Sequence, residues 1–437
     1  MSVLPQYLVA CIDCDMLQSI PVLSPGEAAR CLRCRHTLAV DKPDSLERTL
    51  SLTVAAAIVF LIANVWPLMG LSAVGRHAST TILGGAQEMW LQGNEITAVL
   101  VAFCTVIAPA IHIVFMLTVL LAVRRPPAPS WVGMLLRWLE WQYPWAMIEV
   151  MMLGILVALI KIAELATVIP GVGMFAVGAL MALFATMKVS FDPREVWTRI
   201  RWANGEAPAP AASTELNPFD GDGAMSNGIL TGMKLGLISC EACGLLSRPA
   251  DIDEPGHCPR CGNELSLRRK NAIQRTWAFI LAAAICYIPA NILPVLNTIT
   301  VTSTEDDTIL DGVVLLYTTG SWPLALIVLI ASVVIPLGKL IALSYLLLSV
   351  QRRSIVGSHE RVRLYRLVEI VGRWSMLDVF VDTFTVALIQ LQPLMSVKPG
   401  PGVIFFAAVV VLTMIAAQTF DPRLIWDAGE GKEGSYD

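Results

Sequence analysis

The chain is 437 residues long, 55% of its residues are apolar and 15% are charged, and its mean hydropathy is +0.65. A soluble domain carries about 25% charged residues, so the composition excludes an ordinary soluble protein and predicts that much of the surface lies in lipid. The 31 basic and 35 acidic residues nearly cancel to a net charge of −4, which argues against a nucleic-acid partner.

Residues 1–48 are polar, show no secretory signal peptide, and are predicted to form a zinc ribbon. Two C-x-x-C pairs sixteen residues apart supply the predicted ligands, which are Cys11, Cys14, Cys31 and Cys34. Four thiolates complete a tetrahedron and leave no position for a catalytic water, so the predicted zinc is structural. Asp15 and Arg35 follow the two pairs, at positions where a positive φ favours glycine.

Residues 49–202 are predicted to form a first bundle of four transmembrane helices. A bilayer core of about 30 Å needs roughly 20 apolar residues in a helix, because lipid offers no partner to an unpaired backbone group. Four runs meet this requirement, at about residues 49–75, 96–123, 143–165 and 171–190.

A linker rich in Pro, Ala, Gly and Asn, residues 203–233, leads to a second predicted zinc ribbon at residues 234–270. Its C-x-x-C pairs are fourteen residues apart and supply the ligands Cys240, Cys243, Cys258 and Cys261. Gly244 and Gly262 follow these pairs and provide the positive φ that each knuckle requires. We predict two structural Zn²⁺ ions per chain, because a ribbon of about 30 residues buries too little core to fold without metal.

Residues 271–427 are predicted to form a second bundle, and residues 428–437 a C-terminal tail. The four spans of this bundle lie at about residues 276–297, 322–350, 374–394 and 402–420. The predicted fold is therefore an all-α polytopic membrane protein with two tandem repeats. Each repeat is a cytoplasmic zinc ribbon followed by a four-helix bundle, which gives eight transmembrane helices.

The positions of lysine and arginine predict the orientation, since short cytoplasmic loops carry an excess of both. The loops between spans two and three and between spans six and seven are basic, as are the segments after span four and before span five. The opposite loops hold little besides Arg76, Lys398 and the acidic run 305–307. Both termini are therefore predicted to be cytoplasmic.

The two halves of the chain show an internal duplication. Residues 63–67 (ANVWP) match residues 290–294 (ANILP) at an offset of 227, and residues 191–194 (FDPR) recur at 420–423 at an offset of 229. Because each half has an even number of predicted spans, the two copies have the same orientation and form a parallel repeat.

The first span of each half ends in an Asn-x-x-Pro motif. The motif is formed by Asn64 and Pro67 in the first half, and by Asn291 and Pro294 in the second. A proline frees a backbone carbonyl, and an asparagine amide can donate a hydrogen bond to it. We expect a structural device that ends the helix rather than a substrate site.

Ionisable side chains inside the spans are candidate transport residues, because a charge at the bilayer centre costs at least about 2.5 kcal/mol. The candidates for a proton relay are Lys161, Glu164, Lys339, Asp378, Asp382, Glu149 and His112. Snorkelling and structural pairing compete with a relay near the membrane ends, at Glu149, Asp378 and Lys161. Lys339 and Asp382 lie deeper in their spans and are the stronger candidates.

Two loops are predicted to form small hairpins outside the membrane, where a partner would dock. Residues 297–302 alternate polar and β-branched side chains, and a turn at 305–307 leads to a second strand at 308–310. The matching loop, residues 71–83, is expected to do the same.

These features together resemble the paraquat-inducible protein A family. The resemblance rests on the duplicated plan, the Asn-x-x-Pro endings, the sequence Thr319-Gly320-Ser321-Trp322 and the repeated Phe-Asp-Pro-Arg. It covers nearly the whole chain, and Asp15 and Arg35 in place of knuckle glycines are its main departure. It implies an inner-membrane protein of Gram-negative bacteria that works with a periplasmic MCE-domain protein, a tunnel or needle that moves lipids between membranes.

The leading hypothesis is an inner-membrane component of an intermembrane lipid transport system. It would pass phospholipids to or from an MCE-protein tunnel and so maintain the cell envelope. The alternative is a membrane-bound zinc or redox sensor, or a scaffold, that signals through its cytoplasmic ribbons. The chain has no nucleotide-binding G-x-x-x-x-G-K-[ST] sequence and no Ser–His–Asp pattern, so we predict that it is not an enzyme.

Overall fold

The computed structural model describes most of the chain. The described residues are 7–73, 76–91, 93, 95–142, 145–146, 148–163, 167–200, 229–248, 256–300, 304–318, 320, 322–354, 356–377, 379–381, 390–391 and 395–430. Within them the protein is mostly helical, with short strands in the two cysteine-rich segments and at the opposite end of the helices.

The helices recur in nearly the same order in the two halves. Those of the first half are α1 (Ser45–Val65), α2 (Ile82–Leu91), α3 (Glu95–Ala102), α4 (Ala108–Val123), α5 (Trp131–Gln142), α6 (Ile148–Ala163), α7 (Val172–Ser190) and α8 (Pro193–Arg199). Those of the second half are α9 (Ala272–Ile292), α10 (Ile309–Thr318), α11 (Trp322–Leu329), α12 (Ile335–Gln351), α13 (Ser358–Gly372), α14 (Gly402–Thr419) and α15 (Leu424–Glu430).

Six helices in the described part of the chain are long and apolar enough to cross a membrane. They span Ser45–Val65, Glu95–Val123, Val172–Ser190, Ala272–Ile292, Ala325–Gln351 and Gly402–Thr419. They correspond to predicted spans one, two, four, five, six and eight. These helices support the assignment as a multi-pass membrane protein.

The third and seventh predicted spans differ from the expectation. The third, predicted at residues 143–165, holds the single helix α6, which has 16 residues and is shorter than the other spans. In the seventh, residues 378 and 382–389 lie outside the described residues, and Gln390–Leu391 forms a strand rather than the predicted helix. Helix α5, amphipathic and with charged Arg137 and Glu140, forms most of the loop that was predicted between spans two and three.

A π-helical turn interrupts the second and sixth spans at matching positions. Residues Phe103–Ile107 join α3 to α4, and residues Ile330–Val334 join α11 to α12. Pro109 or Pro336 lies within two residues of each turn and has no backbone N–H to continue the α-helical ladder. The wider turn accommodates the missing donor.

Two antiparallel sheets cap the ends of the helices. The first, in the order β6–β5–β7, contains Met69–Ala73 (β5), Arg76–Thr80 (β6) and Thr167–Pro170 (β7). The second, in the order β11–β10–β13–β12, contains Leu296–Thr300 (β10), Thr304–Asp307 (β11), Gln390–Leu391 (β12) and Met395–Pro399 (β13). A hairpin forms in each of the two loops, as predicted; the first gains one strand, β7, and the second gains two, β13 and β12.

The predicted position of the second strand is wrong in the second loop: residues 304–307, which include the predicted turn, form the strand, and a helix begins where the strand 308–310 was predicted. In the first loop the strand ends at Thr80 and a helix begins at Ile82. Thr308 and Asp311 exchange hydrogen bonds at the start of α10, with the Thr308 hydroxyl 2.6 Å from the Asp311 carboxylate. The matching Thr81 hydroxyl accepts from the backbone N–H of Gly84 at 3.0 Å. These are helix N-caps, so residues after Thr308 and Thr81 are helical instead of extended.

The Asn-x-x-Pro motifs lie at junctions between the first and fourth spans. Asn64 Nδ2 donates to Phe60 O at 2.8 Å, one turn back, and not to the carbonyl that the proline frees. The carbonyl of Pro67 itself accepts from Gly173 N at 3.1 Å. Asn291 and Pro294 repeat this pattern with Tyr287 and Gly402, at 2.8 and 2.9 Å respectively.

One hydrophobic core includes residues of both bundles. At their contact, α6 approaches the segment Val379–Val381 so closely that a Cβ on Gly154 would lie 2.8 Å from Phe380 Cβ. The two helical bundles therefore pack directly on each other, and a glycine makes this approach possible.

Candidate metal centres and buried polar groups

The first cysteine cluster lies between two short hairpins. Tyr7–Ala10 (β1) pairs with Leu17–Ile20 (β2), and Ala28–Arg30 (β3) pairs with Thr37–Val40 (β4). Each hairpin contributes one C-x-x-C pair, and all four cysteines are buried. Cys11 Sγ lies 3.4 Å from Cys34 Sγ, and Cys14 Sγ lies 3.5 Å from Cys31 Sγ.

The second cluster has the same geometry with less surrounding structure. One hairpin of Ile238–Ser239 (β8) and Leu246–Ser247 (β9) supports its first pair. The Sγ–Sγ distances are 3.5 Å between Cys240 and Cys261, and 3.6 Å between Cys243 and Cys258. In this cluster Cys243 and Cys261 are partly exposed.

Both clusters have the donor set and the size to hold a metal ion. The four ligand atoms of each lie within 4.8 Å of one another. A tetrahedron with metal–sulfur bonds of about 2.3 Å places its sulfurs about 3.8 Å apart, close to the distances found here.

Both clusters also have the same knuckle backbone. Gly244 and Gly262 have φ values of 69° and 68°, and Asp15 and Arg35 have φ values of 59° each. The two non-glycine residues therefore adopt the left-handed conformation that the sequence made less favourable. Asp15 offsets this strain, because its carboxylate accepts hydrogen bonds from Met233 N and from Arg268 Nη2, both at 3.1 Å.

We call residues 7–44 ribbon 1 and residues 229–248 with 256–271 ribbon 2, and the two pack on each other. Leu17 N donates to Leu230 O, and Gly232 N donates to Asp15 O, each at 3.0 Å. Ala10, Leu17 and Leu237 form a small shared core. The ribbons therefore form one joint unit on the helical bundles.

The base of each ribbon is tied to the bundle that follows it in sequence. Lys42 Nζ donates to Phe191 O at 2.7 Å in the first half. In the second half Arg269 Nη1 donates to Phe420 O at 3.1 Å, and Lys42 and Arg269 occupy matching positions at the offset of 227.

The metal-binding ends of the ribbons reach across to the opposite bundles. The Arg33 guanidinium of ribbon 1 stacks 4.3 Å from the ring centre of Trp426, in α15 of the second bundle. Arg260 of ribbon 2 lies 6.0 Å from the ring centre of Trp197, in α8 of the first bundle. Both residues of each pair recur in the two halves, so the crossing has an approximate two-fold symmetry.

The contact of ribbon 1 with the second bundle is ionic. Arg366 of α13 donates to Asp13 Oδ2 from Nε at 2.8 Å and from Nη2 at 2.5 Å. His36 Nδ1 lies 3.1 Å from the same oxygen, and Arg366 Nη2 also lies 3.4 Å from Cys34 Sγ. Burial raises the pKa of Asp13, but His36 and Arg366 outweigh it and leave that pKa below its usual value.

At the matching contact of ribbon 2 with the first bundle, the ribbon residue that binds the arginine is uncharged. Arg137 of α5 matches Arg366, and its Nη1 donates to Asn263 Oδ1 at 3.0 Å. Asn263 stands where ribbon 1 has His36, and Ala242 stands where it has Asp13. Among the described residues, an acid thus pairs with the bundle arginine at one of the two crossed contacts, that of ribbon 1.

A second buried ion network joins ribbon 2 to the end of the second bundle. Arg423 Nη2 pairs with Asp421 at 2.9 Å and with Glu241 of ribbon 2 at 2.6 Å. Arg268 pairs with Asp427 at 2.7 Å and with Asp15 of ribbon 1 at 3.1 Å. Burial raises the pKa of Asp421, but Arg423 outweighs it and the net shift is downward.

Lys339 and His112 are the two relay candidates whose side chains the structure describes as buried. Lys339 is 3% exposed, and its Nζ donates to Ser375 Oγ at 3.0 Å and to Gly372 O at 3.3 Å. Gly372 is the last α-helical residue of α13, and a 3-10 turn, Arg373–Met376, follows it directly. His112 is 2% exposed and lies beside the side chain of Gln142, the last residue of α5.

Of the other five relay candidates, the structure describes the side chain of Glu149 alone. Glu149 is exposed, in the first turn of α6, where the helix dipole favours an acid. Lys161 belongs to α6, but its side chain lies outside the described set. Glu164, Asp378 and Asp382 all lie outside the described residues. The relay through these residues therefore stays a prediction.

Sequence reasoning did not identify the residues of the crossed contacts. Arg33, Arg260, Trp197 and Trp426 each recur in the other half at an offset of 227 or 229. That recurrence was the available signal, but it does not say which arginine meets which tryptophan.

The chain is similar to known proteins over nearly its whole length. The sequence model described as Paraquat-inducible protein A matches residues 46–201 and 273–430. Intermembrane transport protein PqiA of Escherichia coli K12 is 34% identical over 96% of this chain and 95% of that protein. Lipophilic envelope-spanning tunnel protein A of the same strain is 31% identical over 98% of this chain and 93% of its own length.

A third relative is the probable intermembrane transport protein of Haemophilus influenzae, 28% identical over 97% of this chain and 96% of its own length. No solved structure matches the chain. Because the family model covers most of both halves and the relatives align over nearly their full lengths, this chain belongs to the paraquat-inducible protein A family.

Proposed function

We propose that this protein is an inner-membrane component of an intermembrane transport system, and that it passes phospholipids to or from a periplasmic MCE-domain protein. The observation that carries the proposal is its similarity, over nearly the whole chain, to relatives named for intermembrane transport. The protein crosses the membrane eight times as two tandem repeats, with both termini and both ribbons in the cytoplasm.

The third and seventh crossings are the ones without a long helix among the described residues. In the first half three long helices and the shorter α6 support four crossings, and in the second half the other three long helices support theirs. The sheets then face the periplasm, since each lies at the end of the helices away from the ribbons. This exposed end is the proposed docking face for the MCE-domain protein.

Each ribbon holds one structural Zn²⁺, and the ligands are the eight cysteines of the two clusters. The all-thiolate donor set and the tetrahedral spacing support zinc over harder cations. The metal supplies folding energy to the ribbons and leaves no open position for a substrate.

A photo-crosslinking amino acid tests the partner and the orientation together. Placed at the exposed Lys398 in β13, it is expected to capture a periplasmic MCE-domain protein in cells. Placed at Leu32, which is 82% exposed on ribbon 1, it serves as the matched control and should not. Capture of a periplasmic protein from Leu32, or of a cytoplasmic one from Lys398, would contradict the proposal.

Phospholipid transport itself is tested by lipid extraction and mass spectrometry of the protein purified in detergent. Phospholipid at a defined ratio, retained through washing and crosslinked in cells by probes near the bundle contact, is the expected result. A protein free of lipid, with a cytoplasmic partner bound through the ribbons, would instead favour the sensor. The burial of the four cysteines of ribbon 1 argues against a redox sensor there.

The intramembrane ionisable residues are proposed to form a proton relay or gate that drives transport. Asp382→Asn and Lys161→Ala are expected to abolish complementation of an envelope defect while leaving membrane levels normal. These two positions are not matched in the other half, where Leu153 and Gln390 stand. Full function of both variants would show that the charges only pair helices.

A further inference from the structure

The starting point is the contact between Arg366 and the first metal cluster. The guanidinium is 2.5 Å from Asp13 Oδ2 and 3.4 Å from Cys34 Sγ. Zinc bound by four thiolates carries a net charge of −2, so a cation beside a ligand sulfur stabilises the loaded centre. Arg366 belongs to α13 of the second bundle, not to ribbon 1.

Further along the same helix, its last residue accepts a hydrogen bond from the buried lysine of α12. Gly372 O, at the last residue of α13, accepts from Lys339 Nζ at 3.3 Å, and Ser375 Oγ accepts at 3.0 Å. Arg366 and Gly372 are six residues apart, which is about 9 Å along a helix. Between them α13 is a rigid rod, and Val368 and Gly372 on it are buried.

We infer that the metal centre of ribbon 1 and the buried ammonium group of Lys339 are coupled through α13. With metal bound, Asp13 and Cys34 hold Arg366 and thereby the position of the helix end that accepts from Lys339. Loss of the metal releases α13 at Arg366 and weakens the hydrogen bonds of Lys339. The cytoplasmic ribbon thus controls a polar group inside the second bundle.

This coupling belongs to one half of the molecule. In the first half the matching arginine, Arg137, meets the neutral Asn263. No sulfur–arginine contact accompanies it among the described residues. Ribbon 2 is therefore expected to hold its metal independently of the first bundle's buried His112.

Thermodynamic coupling is reciprocal, and this supplies the test. The full-length protein, loaded with Zn²⁺ in detergent, is exposed to a chelator and N-ethylmaleimide. Mass spectrometry then follows the labelling of Cys31 and Cys34 separately from that of Cys258 and Cys261. The second pair is the control within the same molecule.

Arg366→Gln is expected to speed labelling of ribbon 1 about 10-fold, as for other residues that support metal ligands, and to leave ribbon 2 unchanged. Lys339→Met is expected to speed labelling of ribbon 1 about 5-fold, although this lysine touches no ribbon residue in the described structure. Ser375→Ala should act in the same direction, and it decides the question if Lys339→Met does not assemble. Arg137→Gln is the matched variant and should leave ribbon 1 unchanged.

Unchanged labelling of ribbon 1 in Lys339→Met and Ser375→Ala would overturn the inference, whatever Arg366→Gln does. Equal acceleration of both ribbons would overturn it too, since it would mean general loosening of the protein. The readout needs no transport activity, so its failure is separate from failure of the proposed function.

Discussion

The two crossed contacts between ribbon and bundle have similar geometry and different chemistry. Both place an arginine of the ribbon on a tryptophan and an arginine of the bundle beside the second knuckle of the ribbon. In ribbon 1 the bundle arginine pairs with Asp13, which also contacts His36. In ribbon 2, by contrast, Ala242 and Asn263 stand at these two positions, and the arginine binds Asn263. The two halves therefore share this packing and differ in the charges at the contact.

The largest expected effect comes from removing one ligand in each ribbon. Cys31→Ser and Cys258→Ser should each lower the metal content from two ions to one and unfold the affected ribbon, because structural zinc contributes on the order of 10 kcal/mol. Metal analysis and limited proteolysis measure both outcomes. Cys286→Ser, outside either cluster, should keep two ions. Iron, or fewer than two ions in the unaltered protein, would count against zinc ribbons.

The next largest effect is a difference in the free energy of unfolding between substitutions at two matching aspartates, one at the base of each ribbon. Asp421 is 1% exposed and paired with Arg423, so Asp421→Asn should cost about 3 kcal/mol. Asp192 only caps α8 through Arg194 N, and Asp192→Asn should cost less than about 1 kcal/mol. Thermal denaturation of the full chain gives both values. Equal losses of stability in the two variants would mean that the ion pair of Asp421 holds the base of ribbon 2 no more strongly than Asp192 holds the base of ribbon 1.

The pH dependence of stability follows from the same carboxylate. The pKa of Asp421 is below its usual value in the folded protein, so its contribution is present above the unfolded pKa of about 3.9. That contribution disappears as the pH falls through the lower folded pKa. In Asp421→Asn the acid-side loss of stability should therefore be shallower than in the unaltered protein. Identical acid profiles would argue against the buried ion pair.

The direct contact between the bundles is tested with a pair of glycines. Gly154→Ala places a Cβ 2.8 Å from Phe380 and should destabilise the packing of the two bundles by about 1–3 kcal/mol. Gly178→Ala meets only the end of Met152 at 3.8 Å and should be neutral or slightly stabilising. Thermal stability in one detergent compares them. A neutral Gly154→Ala would mean that the bundles are held together mainly by the crossed ribbons.

The smallest effect is expected when an acidic side chain is introduced into ribbon 2 at its contact with Arg137. Asn263→Asp gives Arg137 an acidic partner, as Arg366 has in Asp13, and should stabilise ribbon 2 by at most about 1 kcal/mol. Slower labelling of Cys261 by N-ethylmaleimide is the expected sign. Faster labelling would show that the neutral contact is required for packing of ribbon 2.

Sequence reasoning identified the elements better than their contacts. The cysteine spacing and the apolar runs are local signals, and they gave both clusters and six of the spans within a few residues. The N-cap pair of Thr308 and Asp311 is also a local signal, but the β-branched Thr308 and Ile309 favour a strand by propensity, so the sequence predicts a strand where a helix starts. The crossing of the ribbons joins residues such as Asp13 and Arg366, and no local pattern encodes such a distant pairing.

The most direct test of the crossed arrangement is a photo-crosslink from each ribbon. With p-benzoylphenylalanine in place of Arg33, peptide mass spectrometry should find the crosslink in Leu424–Glu430, beside Trp426. With the same probe in place of Arg260, it should fall in Pro193–Arg199, beside Trp197. Crosslinks in the opposite sense, each ribbon to the bundle that follows it in sequence, would contradict the account.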